Sequence, residues 1–290
     1  MALKACLPPH ADTGVPGYTP PPKACDAHMH VFGPVDRFPL SPTRAYDPPP
    51  TGALSEDFVR LQATLGFERA VLVQPSNYGT DNSALVEALA GARGRWLGVT
   101  VVDESSDAAA LRRLHEGGIR GARFNFVSHL GAGPDLDNVR RILDAIAPLG
   151  WNGQFHIEGT GMSDFAKFFE QSPVTVVVDH MGRTGAANGM DYEPFQTLVE
   201  FVKNGKCWVK VSGVDRITAK GSPYADAVPF AQVLVQANPD RCVWGTDWPH
   251  TNMKDMPRDE LLVDLIPEIA PSKELRQKLL VDNPATLYGF

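Results

Sequence analysis

The stretch Val174–Gly182, VTVVVDHMG, sets five β-branched residues in a row ahead of an aspartate, a histidine and a glycine. A strand alternates its side chains between two faces, so an unbroken β-branched run implies burial on both faces, as in a parallel sheet. Working outward, similar runs occupy 25–32 (CDAHMHVF), 69–76 (RAVLVQPS), 96–103 (WLGVTVVD), 121–127 (GARFNFV), 153–159 (GQFHIEG), 207–213 (CWVKVSG) and 241–249 (RCVWGTDWP). Between them lie segments of helical period. SEDFVRLQATLG places Phe58, Leu61 and Leu65 on one face, and DLDNVRRILDAIAPLG and YEPFQTLVEFVKNG behave alike, ending in glycine as helices often do. Eight β–α alternations predict a single (β/α)8 TIM-type barrel over 21–290, preceded by a proline-rich arm over 1–20. An open doubly wound sheet is the competing topology, but no glycine-rich phosphate-binding fingerprint follows any strand.

The 290 residues are 43% hydrophobic and 21% charged, enough for a large core, and the formal net charge is −7 with no long basic run. A nucleic-acid partner and an anionic membrane surface are therefore not expected, and no apolar run reaches the length of a membrane span. An anionic ligand would need locally placed arginines. Cys6, Cys25, Cys207 and Cys242 lack any CxxC spacing and read as reduced, buried thiols. The N-terminus has no apolar signal core. The expectation is a cytoplasmic protein, with the arm lying over the body and a homo-oligomer left open.

In a barrel, functional residues belong at the C-terminal strand ends and in the loops that follow. His28 and His30 end the first run and, two residues apart, point the same way. Arg123 and Asn125 sit in the fourth, His156 and Glu158 end the fifth, Asp179, His180 and Arg183 follow the sixth, Arg216 follows the seventh, and Asp247 ends the eighth. Two imidazoles on one face can hold a metal, polarise a carbonyl, or satisfy each other in a core. Arg123 has a structural alternative in pairing with Glu158 or Asp179, and Arg216 in being a solvated loop residue. Asp179 reads as the partner that orients His180. His10 and His115 read as surface residues, and His250 equally as a surface residue or as a neighbour supporting the site.

DAHMHVFGP, VVVDHMGR and WGTDWPH, with HEGGIRGARFNFV and LLVDNPATLYGF, resemble the amidohydrolase superfamily, and within it the metal-independent lactonases that act on 2-pyrone-4,6-dicarboxylate. The resemblance runs from about Tyr18 to the C-terminus. It implies a hydrolase that opens a small anionic lactone in aromatic-compound catabolism. Asp247 would be the general base for water, and His28, His30 and His180 would polarise the carbonyl. Arg123 and Arg216, with Arg183, would clamp the anionic groups, and Tyr46, His129 and His156 would face the substrate. Two positions depart from the pattern. SHL, with His129, follows RFNFV where that family places basic residues, and His156 stands where it has a tyrosine. The altered clamp admits a sulfonated or singly carboxylated muconolactone beside the pyrone dicarboxylate. His156 also allows a mononuclear zinc or manganese site of His28, His30, His156 and Asp247, although a metal-free site is favoured. The alternatives are an aldonolactone hydrolase or isomerase, and a metal-dependent aromatic-acid decarboxylase.

Overall fold

The structure is a computed structural model describing residues 3–51, 53–131 and 133–290. Eight parallel strands follow one another in chain order: β1 (Cys25–Met29), β2 (Arg69–Val73), β3 (Trp96–Thr100), β4 (Ile119–Phe126), β5 (Asn152–Ile157), β6 (Val176–Val178), β7 (Trp208–Lys210) and β8 (Cys242–Val243). Helices α1 (Ser55–Leu65), α2 (Ser83–Ala92), α3 (Ala108–Glu116), α4 (Leu136–Ile146), α5 (Ala166–Glu170), α6 (Glu193–Lys203), α7 (Val214–Ile217) and α8 (Val228–Ala237) connect successive strands or follow them. This is a (β/α)8 barrel, as the alternation of periods predicts.

The last strand meets the first through main-chain hydrogen bonds, Ala27 N to Trp244 O at 2.8 Å and Asp247 N to His28 O at 2.7 Å. Gly245 permits that approach, because a Cβ there would lie 2.4 Å from the His28 nitrogen. The buried Asp26 carboxylate pins the same seam, accepting from Thr246 Oγ1 at 2.6 Å, Thr246 N at 3.0 Å and His28 N at 3.1 Å. Burial nevertheless pushes its pKa up to about 7.

An apolar layer fills the barrel interior: Cys25, Ala27, Val71, Val73, Leu97, Val99, Val177 and Val243, with Tyr288 from the C-terminal helix packed among them. A larger apolar cluster lies between the sheet and the helices, for example Phe58 and Leu61 of α1 and Val139 and Leu143 of α4. In β1 the register shifts between Asp26 and Met29, so Cys25 and Ala27 join the apolar layer while His28 and His30 turn toward the polar mouth.

Two strands fall furthest short of their sequence runs. The run at 174–182 yields a strand only over Val176–Val178, and the run at 241–249 only over Cys242–Val243. In each case the backbone leaves extended geometry for left-handed φ values, at His180 (48°), Met181 (52°) and Arg183 (48°) and again at Asp247 (66°) and His250 (57°). Non-glycine residues adopt this region rarely, and such positions cluster at functional sites.

The N-terminal segment lies against the body. Cys6 N donates to Asp47 O at 3.0 Å, Asn252 N to Cys6 Sγ at 3.1 Å, and Tyr18 N to Asp264 Oδ1 at 2.8 Å. All four cysteines are buried and unpaired. No helix among the described residues is long and apolar enough to cross a membrane.

Candidate active site

The C-terminal strand ends converge on a cavity with about 380 Å³ of atom-free space. His30, Tyr46, Arg123, His129, His156, His180, Arg183, Arg216 and Asp247 line it, together with Ser76, Thr251 and Asn252. A larger groove of about 1320 Å³ lies outside the barrel around Phe32, Glu87 and Trp96, and none of the site residues named above lines it. The candidate site residues therefore gather at the smaller cavity.

Asp247 is its centre. Oδ1 lies 3.3 Å from His30 Nε2 and 3.5 Å from His28 Nε2, and Oδ2 lies 3.7 Å from His180 Nε2. Arg216 Nε donates to Oδ2. Burial alone would raise the pKa of this carboxyl, but the Arg216 guanidinium overrides burial and holds it well below the usual carboxylate range. Asp247 is thus an anion at neutral pH, surrounded by imidazoles that can point N–H groups at a reacting oxygen.

Each imidazole is anchored on its far side. His30 Nδ1 lies 2.7 Å from the Val73 carbonyl, His180 Nδ1 lies 3.0 Å from Ser212 Oγ, and His28 Nδ1 lies 3.0 Å from Lys210 Nζ. Burial keeps His180 neutral, with its pKa lowered to about 3, and burial likewise drives His28 and His156 well below the ordinary value. His156 Nδ1 lies 3.1 Å from Asn125 Oδ1, and its buried Nε2 has no hydrogen-bond partner among the described residues.

The structure corrects the expected role of Asp179. This carboxylate does not reach for its neighbour His180, which Ser212 anchors. It accepts from Arg123 Nε at 2.8 Å, and its Oδ1 lies 3.1 Å from Lys210 Nζ and 3.6 Å from His28 Nδ1. It follows the last residue of β6, where its side chain meets those of β4 and β7 inside the barrel. Burial would raise its pKa, but Lys210 and Arg123 keep it strongly lowered. Arg216 is likewise no solvated loop residue. It lies in α7 with its side chain 7% exposed, tied to Asp247 and to the Thr251 carbonyl at 3.2 Å.

The remaining candidates ring the opening. Arg183 makes no ion pair or hydrogen bond among the described residues, and burial with the nearby Arg216 charge lowers its pKa to about 10. His129, half-buried, has its pKa lowered to about 4 by burial and by Arg183. The Tyr46 hydroxyl lies 3.3 Å from Thr251 Oγ1. His250 is buried between Asp259 Oδ1 at 3.0 Å and Asp215 Oδ2 at 3.7 Å, outside the lining of the cavity. Burial opposes its charge, but Asp259 raises its pKa to about 10, so it is a structural cation. His10 is exposed, whereas His115 is half-buried and accepts from Trp151 Nε1 at 3.0 Å.

Sequence reasoning missed Lys210 and Ser212, which hold His28 and His180 from behind. The available signal was the lysine itself, in the middle of the apolar run CWVKVSG. For a metal, the described residues offer ligand atoms of His28, His180 and Asp247 within 4.8 Å of one another, a different group from the expected His28, His30, His156 and Asp247. In that group, the far nitrogen of His28 faces the Lys210 ammonium, a donor. A metal-bound histidine needs an acceptor there.

A family model described as amidohydrolase matches residues 25–290. The 2-pyrone-4,6-dicarboxylate hydrolase of Comamonas testosteroni is 44% identical, over 96% of this chain and 94% of that protein. The 4-sulfomuconolactone hydrolase of Hydrogenophaga intermedia is 36% identical, over 98% of this chain and 94% of its own. A crystal structure of a probable 2-pyrone-4,6-dicarboxylic acid hydrolase from Acinetobacter baumannii, with citric acid bound, superposes with a TM-score of 0.83 at 27% identity, covering 92% of this chain and all of that one. With the barrel and its mouth already in view, these matches place the chain in the amidohydrolase family.

Proposed function

We propose that this chain is a lactone hydrolase that opens a small anionic lactone of aromatic-compound breakdown. The observation that carries the reading is the Asp247 carboxylate, set within 3.7 Å of the Nε2 atoms of three imidazoles in a cavity that Arg123, Arg183 and Arg216 line. A water beside Asp247 attacks the lactone carbonyl and gives its proton to the carboxylate. The carbonyl oxygen becomes an oxyanion, stabilised by the N–H groups that His28 and His180 can present at Nε2. The tetrahedral centre then collapses, the ring C–O bond breaks, and the departing oxygen takes back a proton. The product is an open-chain acid.

The arginines supply the affinity for anions, since a guanidinium matches a carboxylate or sulfonate with two parallel hydrogen bonds. Relatives named for a pyrone dicarboxylate and for a sulfomuconolactone support that substrate class. Among the described residues Arg183 is the site arginine without an acidic partner, while Asp179 holds Arg123 and Asp247 holds Arg216. The Arg183 guanidinium is therefore the freest of the three to take a carboxylate or sulfonate of the substrate. The donor set suits no resident metal, because the ligand-forming nitrogen of His28 is the one left protonated when its other nitrogen accepts from Lys210.

The test is a ring-opening assay on 2-pyrone-4,6-dicarboxylate, 4-sulfomuconolactone, a neutral lactone and an aldonolactone, with the wild type and Asp247→Asn. Turnover of an anionic lactone that the asparagine abolishes, without loss of substrate binding, is the expected result. Isomerisation of the aldonolactone as the fastest reaction would overturn the assignment.

A further inference from the structure

Lys210 lies at the end of β7 with its side chain wholly buried. A buried ammonium needs acceptors. Nζ is 2.6 Å from Gln154 Oε1 and 3.0 Å from His28 Nδ1, with Asp179 Oδ1 at 3.1 Å in an ion pair. The amide of Gln154 is oriented independently. Its Nε2 lies 3.0 Å from Asn152 Oδ1 and 3.1 Å from the Tyr288 hydroxyl, which leaves Oε1 as the acceptor for lysine.

An ammonium only donates, so His28 Nδ1 accepts and a neutral His28 carries its proton on Nε2. The next links agree. A carbonyl only accepts, so His30 Nδ1 donates to Val73 and a neutral His30 presents a bare Nε2, which lies 3.2 Å from His28 Nε2. From Lys210 through both imidazoles to Val73, every donor meets an acceptor.

We propose that Lys210 is a positioning residue that locks His28 as the Nε2–H tautomer, and that this lock also keeps divalent cations out of the His28–His180–Asp247 cluster. The first consequence, an Nε2–H that His30 accepts until a carbonyl oxygen at the mouth competes for it, rests on the lactonase reading for its purpose. The second does not. A histidine that binds metal through Nε2 must be bare there and donates its Nδ1–H to an acceptor. Here Nδ1 faces a cation. The acceptor that a metal site would use is close by, since Asp179 Oδ1 lies 3.6 Å from His28 Nδ1. Removing the ammonium frees Nδ1–H to turn to Asp179 and bares Nε2.

Two measurements test this, and neither involves a lactone. In wild-type protein labelled with ¹⁵N-histidine and stripped with chelator, the His28 signals, identified by their loss in His28→Gln, should show Nε2 protonated and Nδ1 bare. A proton on Nδ1, in the other tautomer or in an imidazolium, overturns the lock. This needs no change at Lys210, so it decides the matter even if the lysine variant fails to fold. In calorimetric zinc titrations, folded Lys210→Met should bind Zn²⁺ about 10–100-fold more tightly than the wild type, the range over which outer partners of metal ligands act. Equal affinities overturn the exclusion role. A wild type that opens no lactone would sink the proposed function and leave both of these results standing.

Discussion

Replacing Arg216 with glutamine separates two roles that the geometry combines in one side chain. Arg216 donates to Asp247 and lines the cavity, so it both restrains the base and faces the substrate. For an anionic lactone the variant loses one charge-assisted hydrogen bond, worth about 1.5–3 kcal/mol, which corresponds to a rise in KM of roughly 10- to 150-fold. A neutral lactone never made that bond, and its KM should barely change. The base responds in the opposite sense. Arg216 is the strongest influence lowering the Asp247 pKa against burial, so its loss raises that pKa. In the wild type Asp247 remains ionised as pH falls, until the pH passes below the usual carboxylate range. In the variant it protonates at higher pH, and the acid limb of kcat/KM moves upward with it. The assay is a pH–rate series on one anionic and one neutral lactone for both proteins. Equal losses on the two substrates, with an unmoved acid limb, would refute this account and make Arg216 a packing residue.

His180→Ala should lower kcat by ~10²–10³, the usual cost of one oxyanion donor, with KM little affected. Steady-state kinetics on the best lactone checks it. Asp179→Asn removes the carboxylate shared by Arg123 and Lys210 and leaves two buried cations unpaired, a loss of about 3–5 kcal/mol. Thermal melting should show a midpoint lower by roughly 6–10 °C for a chain of this size. Because the folded-state pKa of Asp179 is depressed, its contribution is present above the ordinary aspartate pKa and is lost as pH falls through the lower folded value. The melting gap between the two proteins should therefore persist at pH 5 and close only in stronger acid. Prolonged chelation should leave wild-type turnover intact, and a loss restored by zinc or manganese would move the protein to metal-dependent chemistry.

What could be read in advance divides along a physical line. Patterns with a local period were legible. An unbroken β-branched run such as VTVVV needs burial on two faces, and residues two apart in a strand must share one, so the barrel and the common direction of His28 and His30 follow from spacing alone. The strand ends were not legible, because the left-handed residues that stop β6 and turn the chain beyond β8, at His180 and Asp247, have no periodic signature. Pairings across the barrel were hardest. Asp179 was assigned to its sequence neighbour, yet a barrel brings residues 123, 179 and 210 closer in function than 179 and 180. The lysine in CWVKVSG shows where such a signal lies. A strand whose neighbours demand burial on both faces cannot leave a charge unpaired, so the lysine itself implies acceptors elsewhere inside the barrel. Gln154 and Asp179, on and just beyond β5 and β6, supply them, and His28 from β1 is the third. Once those partners are required, the protonation of His28 is no longer free. A single out-of-place charge thus fixes which nitrogen at the mouth carries a proton, and with it whether the site is built to polarise a carbonyl or to hold an ion.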